Sequence, residues 1–213
     1  MKNLNLKKLV ILSLCIGAMF FTSCKKDDVV VPDTGLNNAV FKEQMRYLWS
    51  DHAVWTRDVI VAILDQSAVT DASLQRLLAN QVDIGNAIKP YYGDAGGQAL
   101  TDLLTEHIVV AGELLVAARD GDTRGFDDAN AKWYKNGDDI AIFLNTANPE
   151  NWALDHMKQH MKDHLDFTLA EAVAHLQGNY AAEIEAYDHV YEQLMHMSDG
   201  IADGIAKHFP DRF

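Results

Sequence analysis

Apolar residues recur at intervals of three and four along most of the chain, from about residue 39 to residue 208. This spacing places apolar side chains on one face of an α-helix. The first such stripe reads Met45, Leu48, Trp49, His52, Thr56, Val59, Ile60 and Ile63. No segment alternates apolar and polar residues as a half-buried β-strand does. The pattern therefore predicts an all-α protein.

Turn-forming residues divide this pattern into five or six helices. The predicted helices cover residues 39–63, 71–88, 94–119, 122–145, 150–176 and 179–208. Pro90 and Gly93 break the chain after the second helix, while Gly121 and Gly178 end later ones. Short loops between long helices make sequence neighbours antiparallel. We therefore expect residues 39–213 to form an antiparallel up-and-down bundle.

The first residues follow a different pattern, in which a basic segment precedes an apolar run over residues 9–21. Such an arrangement is typical of an export signal, and the run is too short to be a comfortable permanent membrane span. The run leads into Phe21-Thr22-Ser23-Cys24, which resembles the lipobox of bacterial lipoproteins. The resemblance implies that residues 1–23 are removed and that Cys24 is acylated, which would anchor the protein in a membrane. An ordinary secretory signal is the alternative.

The residues that follow Cys24 suggest where in the cell the protein is located. Asp27 and Asp28 look like the signal that directs some Gram-negative lipoproteins to the outer surface of the cell. This likeness implies an outer-membrane lipoprotein that is periplasmic or surface-exposed. Residues 24–38, with Pro32 and Gly35, are expected to form a flexible tether.

Charge and cysteine content narrow the possible chemistry. The 213 residues carry 18 basic and 31 acidic side chains, a net charge of -13. Such a chain is repelled by phosphate backbones, so nucleic-acid binding is not expected. Removal of residues 1–23 would delete Cys15 and leave Cys24 as the remaining cysteine, already committed to lipid. The folded domain would then have no disulfide, thiolate metal site or cysteine nucleophile.

Histidine interrupts three of the apolar stripes, at His52, His107 and His164, and Asn136 interrupts a fourth. Each lies near the middle of its predicted helix, which is mid-height in an up-and-down bundle. We expect one interior layer, to which Asp188 of the last helix is a candidate addition. Neutral imidazoles bind Zn, Cu or Fe, and an open fourth position would allow a bound water. A hydrogen-bonded layer that only fixes helix register is the alternative.

The three histidines, hereafter the histidine layer, also stand at similar intervals. The step from His52 to His107 nearly equals the step from His107 to His164, and Thr56 and Thr168 each follow a histidine by four residues. This spacing hints at repeated helical units. No Glu-x-x-His, His-Glu-x-x-His, Gly-x-Ser-x-Gly, Walker or dinucleotide motif occurs in the sequence. Their absence disfavours carboxylate-bridged di-iron proteins, common zinc proteases, α/β-hydrolases, kinases and dehydrogenases.

A second candidate site combines methionine and histidine. Met157, His160 and Met161 precede the predicted turn at Gly178, and Met195 and His196 follow it. Met161 and Met195 are equally far from Gly178, and so are His160 and His196. Thioether and imidazole at one height resemble a Cu(I) site. Methionines that fill a helix–helix seam, with the histidines facing water, are the alternative. A haem held by histidine and methionine is a third.

Four further residues form a predicted polar network. Asp83 and Asn86 lie in a segment rich in turn residues, and Arg46 and Arg57 of the first helix are natural bidentate partners for acids. The network is either structural or part of a ligand pocket.

The body of the chain also resembles a group of bacterial helical proteins of unassigned activity. The motifs that carry the resemblance are Leu48-Trp49, His52, Trp55-Thr56-Arg57, Asp83-x2-Asn86, Tyr91-Tyr92-Gly93, Trp133-Tyr134-x-Asn136, His164-x3-Thr168 and Tyr187-Asp188. The resemblance implies the helical fold and these residues, but no reaction.

The sequence thus predicts a lipid-anchored, extracytoplasmic helical bundle that binds a metal ion or small ligand through the histidine layer. A non-catalytic envelope module that binds a protein partner, with a purely structural layer, is the alternative. A hydrolase that activates water in the layer is a third hypothesis and requires an accessible cavity.

Overall fold

The computed structural model describes residues 37–213. The predicted signal segment, Cys24 and residues 24–36 of the predicted tether lie outside this range. Within it the chain forms α1 (Asn38–Leu64), α2 (Thr70–Asp120), α3 (Thr123–Ala147), α4 (Leu154–Leu176) and α5 (Tyr180–His208), followed by the 3₁₀ turn Pro210–Arg212. The described residues contain no β-strand, and the predicted all-α bundle is confirmed. None of the helices in this part of the chain combines the length and apolarity needed to cross a membrane.

The long helix α2 is two helices joined at a sharp bend. Gly93 has φ 74° and ψ 173°, outside the helical region and in a conformation that favours glycine. A Cβ atom on Gly85 would stand 2.6 Å from the carbonyl oxygen of Gly97, so the two arms, residues 70–92 and 94–120, fold back against each other. The predicted break is therefore at Gly93. Pro90 lies within the first arm and does not end it.

The six helical segments pair as three antiparallel hairpins. The first hairpin joins α1 to the first arm of α2, the second joins the second arm to α3, and the third joins α4 to α5. An ion pair between Arg46 of α1 and Asp199 of α5, with N–O distances of 2.5 and 2.6 Å, links the first and third hairpins. The hydroxyl of Tyr134 in α3 donates to Asp166 of α4 over 2.6 Å and links the second to the third.

Helix ends follow local capping chemistry. The side chains of Asn37, Asp122 and Asn179 accept hydrogen bonds from backbone N–H groups in the first turns of α1, α3 and α5. Gly121 and Gly178 take positive φ values of 70° and 68° directly after or near helix ends. Gly121 and Gly178 are the two helix-ending residues that the sequence predicted.

A further boundary differs from the prediction, because α4 begins at Leu154 instead of near residue 150. The preceding turn is held by side-chain bonds to α5. The Asn148 amide donates to the Gly204 carbonyl over 2.9 Å, and the indole N–H of Trp152 donates to the Gly200 carbonyl over 3.2 Å. Both side chains are buried, so this turn closes one end of the bundle.

Candidate functional site

The histidine layer lies in the interior of the bundle. His52 comes from α1, His107 from the second arm of α2 and His164 from α4. The ring centroid of His164 is 6.0 Å from that of His52 and 5.9 Å from that of His107. All three side chains are only 2% or 3% exposed. The first helix of each hairpin therefore contributes one imidazole to a common layer.

Asn136 of α3 also belongs to this layer, as its spacing predicted. Its Oδ1 atom lies 2.9 Å from Nδ1 of His107. The prediction for Asp188 is wrong, because this side chain is exposed on α5. Val190 and Leu194 occupy the buried face of the same helix, and the helical rotation turns Asp188 toward solvent.

Burial keeps the layer uncharged. Loss of water lowers the pKa of His52 to about 3 and that of His107 to about 4, and the pKa of His164 falls well below its usual value. The neighbouring imidazoles lower the pKa values of His52 and His164 further. A neutral imidazole has one N–H donor and one lone pair, so each ring retains a potential ligand atom.

Several polar atoms in and beside the layer are unmatched. Nδ1 of His52 and Nδ1 of His164 are buried with no hydrogen-bond partner among residues 37–213. The indole nitrogens of Trp49 and Trp133 are buried and unpartnered in the same part of the chain. Buried polar groups in folded proteins nearly always find a partner, so these atoms are candidate contacts for a bound water or ion.

Two small cavities flank the histidine layer, and all three imidazoles line both. They offer about 20 and about 30 Å³ of space open to the centre of a water molecule. Each volume suits one or two water-sized species, not an organic substrate. The remaining walls are largely apolar, with Trp49, Met161 and Trp152 on one side and Ile108, Leu77 and Trp133 on the other. The hydrolase hypothesis therefore lacks the accessible cavity that it requires.

The three imidazoles do not form a ready metal site in the structure. Among the described residues, no three His, Cys, Asp or Glu side chains form a group that could hold a metal ion as they stand. Zn–N bonds are about 2.0–2.1 Å long, so a shared ion would have to draw the outer rings toward His164. The layer therefore contains the nitrogen atoms that a metal site needs, but the three rings are not arranged around one ion in the structure.

The layer has a supporting hydrogen bond that recurs in all three hairpins. In the second hairpin, the amide of Asn136 donates to the carbonyl oxygen of Leu103 over 3.1 Å. Leu103 precedes His107 by four residues, so the amide holds the turn of helix that carries the imidazole. The donated N–H group orients the amide and turns Oδ1 toward His107 Nδ1.

The first and third hairpins repeat this contact. The Asn80 amide donates to the Leu48 carbonyl over 3.0 Å, and the Gln193 amide donates to the His160 carbonyl over 2.9 Å. Both acceptors again lie four residues before the histidine of their hairpin. We call Asn80, Asn136 and Gln193 the layer amides. Asn80 and Gln193 were not predicted, although the sequence contained a signal, because an amide follows each layer histidine at a nearly constant interval.

A charged network near one end of the bundle was also missed. Arg57 donates to Glu171 over 3.0 Å and to Glu183 over 2.7 Å, and His175 bridges Glu183 and Asp65 at 3.0 and 3.1 Å. Burial raises the pKa of Glu171 to about 7, although Arg57 opposes this shift. Burial lowers the pKa of His175, but its two carboxylate partners outweigh that effect and raise it.

The network predicted around Asp83 and Asn86 is wrong. Both side chains are exposed on the outer face of α2. Arg57 pairs instead with acids of α4 and α5, and Arg46 forms its ion pair with Asp199. The two arginines therefore join hairpins and do not line a pocket with Asp83 and Asn86.

The methionine–histidine site is likewise not assembled. Met157 and Met161 are 5% exposed and belong to the core, whereas His196 is 72% exposed beside Glu192. Adjacent helical residues differ by about 100° in direction, so a buried methionine turns its neighbouring histidine outward. His160 is half-buried and Met195 is partly buried against the core. The methionines fill the helix–helix seam, as the alternative interpretation held.

Comparison of the chain with protein-family models, with curated proteins and with solved structures returns no match.

Proposed function

We propose that the protein is a lipid-anchored, extracytoplasmic helical bundle that binds one transition-metal ion at the histidine layer. The observation that carries this proposal is the meeting of three neutral, buried imidazoles from three helices in an otherwise apolar interior. Leucine at these positions would pack without unmatched polar atoms, whereas His52 and His164 each leave a buried Nδ1 without a partner in the described part of the chain. Zinc, copper and iron all accept imidazole ligands.

The cavities beside the layer favour an ion over a larger ligand. Their volumes of about 20 and 30 Å³ hold a water-sized species each, which matches an ion with one bound water. Closure of the outer rings onto the ion would use this free space. The same geometry suits a carrier or a sensor, since the enclosed layer leaves an organic substrate no room.

The membrane anchor in this proposal rests on the sequence alone. Residues 1–24 resemble a lipoprotein signal ending in an acylated Cys24, with an acidic pair behind it that favours the outer membrane. The folded domain begins with α1 at Asn38, which leaves the segment 25–37 to connect it to the lipid. A metal-binding domain on such a tether would act in the periplasm or at the cell surface.

One preparation tests both parts of the proposal. Protein isolated from membranes of the producing cells, without chelators, should contain up to one equivalent of a transition metal by elemental analysis. His164→Leu should abolish the bound metal, because His164 contacts both other imidazoles. His196→Leu is the matched control, since this exposed histidine lies outside the layer and its loss should leave the metal content unchanged.

One result would contradict the metal site, and another would contradict the lipid anchor. A metal-free wild-type protein that also fails to take up Zn²⁺, Cu²⁺ or Fe²⁺ would contradict the metal site. Cys24→Ala should move the protein from the membrane to the soluble fraction, and an unchanged distribution would contradict the lipid anchor.

A purely structural layer is the second candidate function. The 2.9 Å bond between His107 and Asn136 favours it, because an amide partner is what a register-fixing polar layer needs. The protein would then be a non-catalytic envelope module that binds a protein partner. This alternative predicts the same unfolding temperature with and without a chelator, whereas the metal site predicts a fall when metal is removed.

A further inference from the structure

The NH₂ groups of the three layer amides all make the same kind of hydrogen bond. Asn80, Asn136 and Gln193 each donate to a backbone carbonyl four residues before a layer histidine, over 3.0, 3.1 and 2.9 Å. A carbonyl oxygen only accepts hydrogen bonds, so the NH₂ group must face it and the amide orientation is determined. Each amide oxygen has two lone pairs and keeps acceptor capacity, although Oδ1 of Asn80 already accepts from the Gln81 amide over 3.2 Å.

In the second hairpin, this oxygen determines the protonation of the imidazole. Oδ1 of Asn136 lies 2.9 Å from Nδ1 of His107, and an amide oxygen cannot donate. Nδ1 must therefore carry the proton in the neutral ring. The lone pair is then on Nε2, the atom that a metal or another acceptor-seeking ligand would use.

The first and third hairpins also contain a layer histidine and a layer amide, but no hydrogen bond joins Nδ1 of the histidine to the amide oxygen. In the third hairpin, Oε1 of Gln193 and Nδ1 of His164 are both buried and have no partner in the described part of the chain. In the first, Nδ1 of His52 is unpartnered within the same residues, while Oδ1 of Asn80 accepts a 3.2 Å bond from the Gln81 amide and keeps one lone pair. Oε1 of Gln81 is buried without a partner there as well, and both amides partly offset the fall in the pKa of His52. A buried Nδ1 without a partner and an amide oxygen with a free lone pair thus occur in both hairpins where the bond is not formed.

We propose that Asn80, Asn136 and Gln193 are equivalent positioning residues, each of which accepts the Nδ1–H of the histidine in its own hairpin. All three imidazoles then present Nε2 to one shared ligand. The shared ligand rests on the function proposed above, whereas the tautomers and their amide partners do not depend on it. Such outer partners of ligating histidines orient the ring and raise its basicity.

The tautomers can be measured directly in metal-free protein. Long-range ¹H–¹⁵N correlation spectra distinguish a protonated Nδ1 from a protonated Nε2. We expect His52, His107 and His164 to be protonated at Nδ1 in the wild type. Protonation at Nε2 in these rings would overturn the proposal, and this result is independent of any variant.

Single substitutions then assign each amide to its histidine. Asn136→Leu should remove the Nδ1–H preference of His107 and leave the other two layer histidines unchanged, and Gln193→Leu should do the same for His164. Asn145→Leu is the matched control on α3, because the Asn145 amide also donates to a carbonyl, that of Trp152, away from the layer. A tautomer of His107 that is the same in Asn136→Leu as in Asn145→Leu would contradict the assignment.

The third hairpin, in which the layer amide is a glutamine, suggests a conservative substitution for Asn136. Asn136→Gln places at the second hairpin the amide that the third hairpin uses, and it should retain or restore the Nδ1–H signal that Asn136→Leu loses. Zn²⁺ affinity should fall about 10- to 100-fold in Asn136→Leu and be largely recovered in Asn136→Gln. Equal loss in both variants would overturn the positioning role. Absence of Zn²⁺ binding in the wild type, with the predicted tautomers present, would refute the proposed function and leave the positioning residues standing.

Discussion

At the scale of single residues, the interior of the bundle combines groups whose pKa values move in opposite directions. The pKa values of the layer histidines fall because burial removes water from the charged ring. The pKa of Glu171 rises for the same physical reason, because its charged form is the deprotonated one. The folded protein therefore favours neutral forms at both places, and its stability depends on pH.

Metal-free protein should lose stability as the pH falls from about 6.5 to about 4.5. In this range the unfolded state protonates His52, His107 and His164, while the folded state keeps them neutral, so each contributes a loss of up to about 1.4 kcal/mol per pH unit. Glu171 opposes this trend, because its raised pKa stabilises the fold below about pH 4.5 and that contribution is lost as the pH rises through about 7. Urea denaturation at several pH values across this range measures the balance.

The variant Glu171→Gln removes the contribution of Glu171, which opposes that of the layer histidines. It should steepen the loss of unfolding free energy on acidification by up to about 1.4 kcal/mol per pH unit, since the uptake of one proton by the folded state is removed. A wild-type stability that stays constant or increases over the same acidification would contradict the neutral histidine layer.

At the scale of elements, the bend in α2 depends on a close approach of its two arms. Gly85 faces Gly97 and Thr101, and Lys89 packs its aliphatic stem against Gly97. The absence of side chains at both glycines lets the backbones come together directly after the turn at Gly93. This contact aligns the first and second hairpins, which carry His52 and His107.

Gly85→Ala tests this contact. A Cβ atom there would overlap Oγ1 of Thr101 and lie 2.6 Å from the Gly97 carbonyl oxygen, so the arms must separate. We expect a loss of about 1–3 kcal/mol in unfolding free energy, measured by thermal or urea denaturation. Gly112→Ala in the second arm of α2 is the control, because its Cβ meets no atom within 4 Å and alanine is the better helix former by about 0.5–1 kcal/mol. Equal effects of the two substitutions would refute the close approach.

At the scale of the whole molecule, the bundle and the height of its polar layer follow from local regularities. The constant rise per residue of an α-helix converts sequence position into height, which is why mid-helix His52, His107, His164 and Asn136 were correctly placed in one interior layer. Breaks near Gly93, Gly121 and Gly178 follow from backbone conformations that favour glycine. These features depend on short stretches of chain and are therefore readable from sequence.

The contacts between distant helices were harder to predict, because they depend on helix rotation and on backbone acceptors. Asp188 shares the last helix with core residues but faces away from them. Asn80 and Gln193 follow a layer histidine at a nearly constant interval, but this spacing does not identify the backbone carbonyl oxygens to which they donate, since every residue has one. The partners of Arg57 come from α4 and α5, which are far from α1 along the chain. Only the packed bundle determines such pairs.

Anomalous diffraction from crystals of the protein grown with Zn²⁺ shows most directly whether the histidine layer binds a metal. A metal site there predicts one strong peak in the interior, bonded to Nε2 of His52, His107 and His164 at about 2.0–2.1 Å. An empty layer, with zinc bound only at exposed side chains such as His156 and His196, would contradict it.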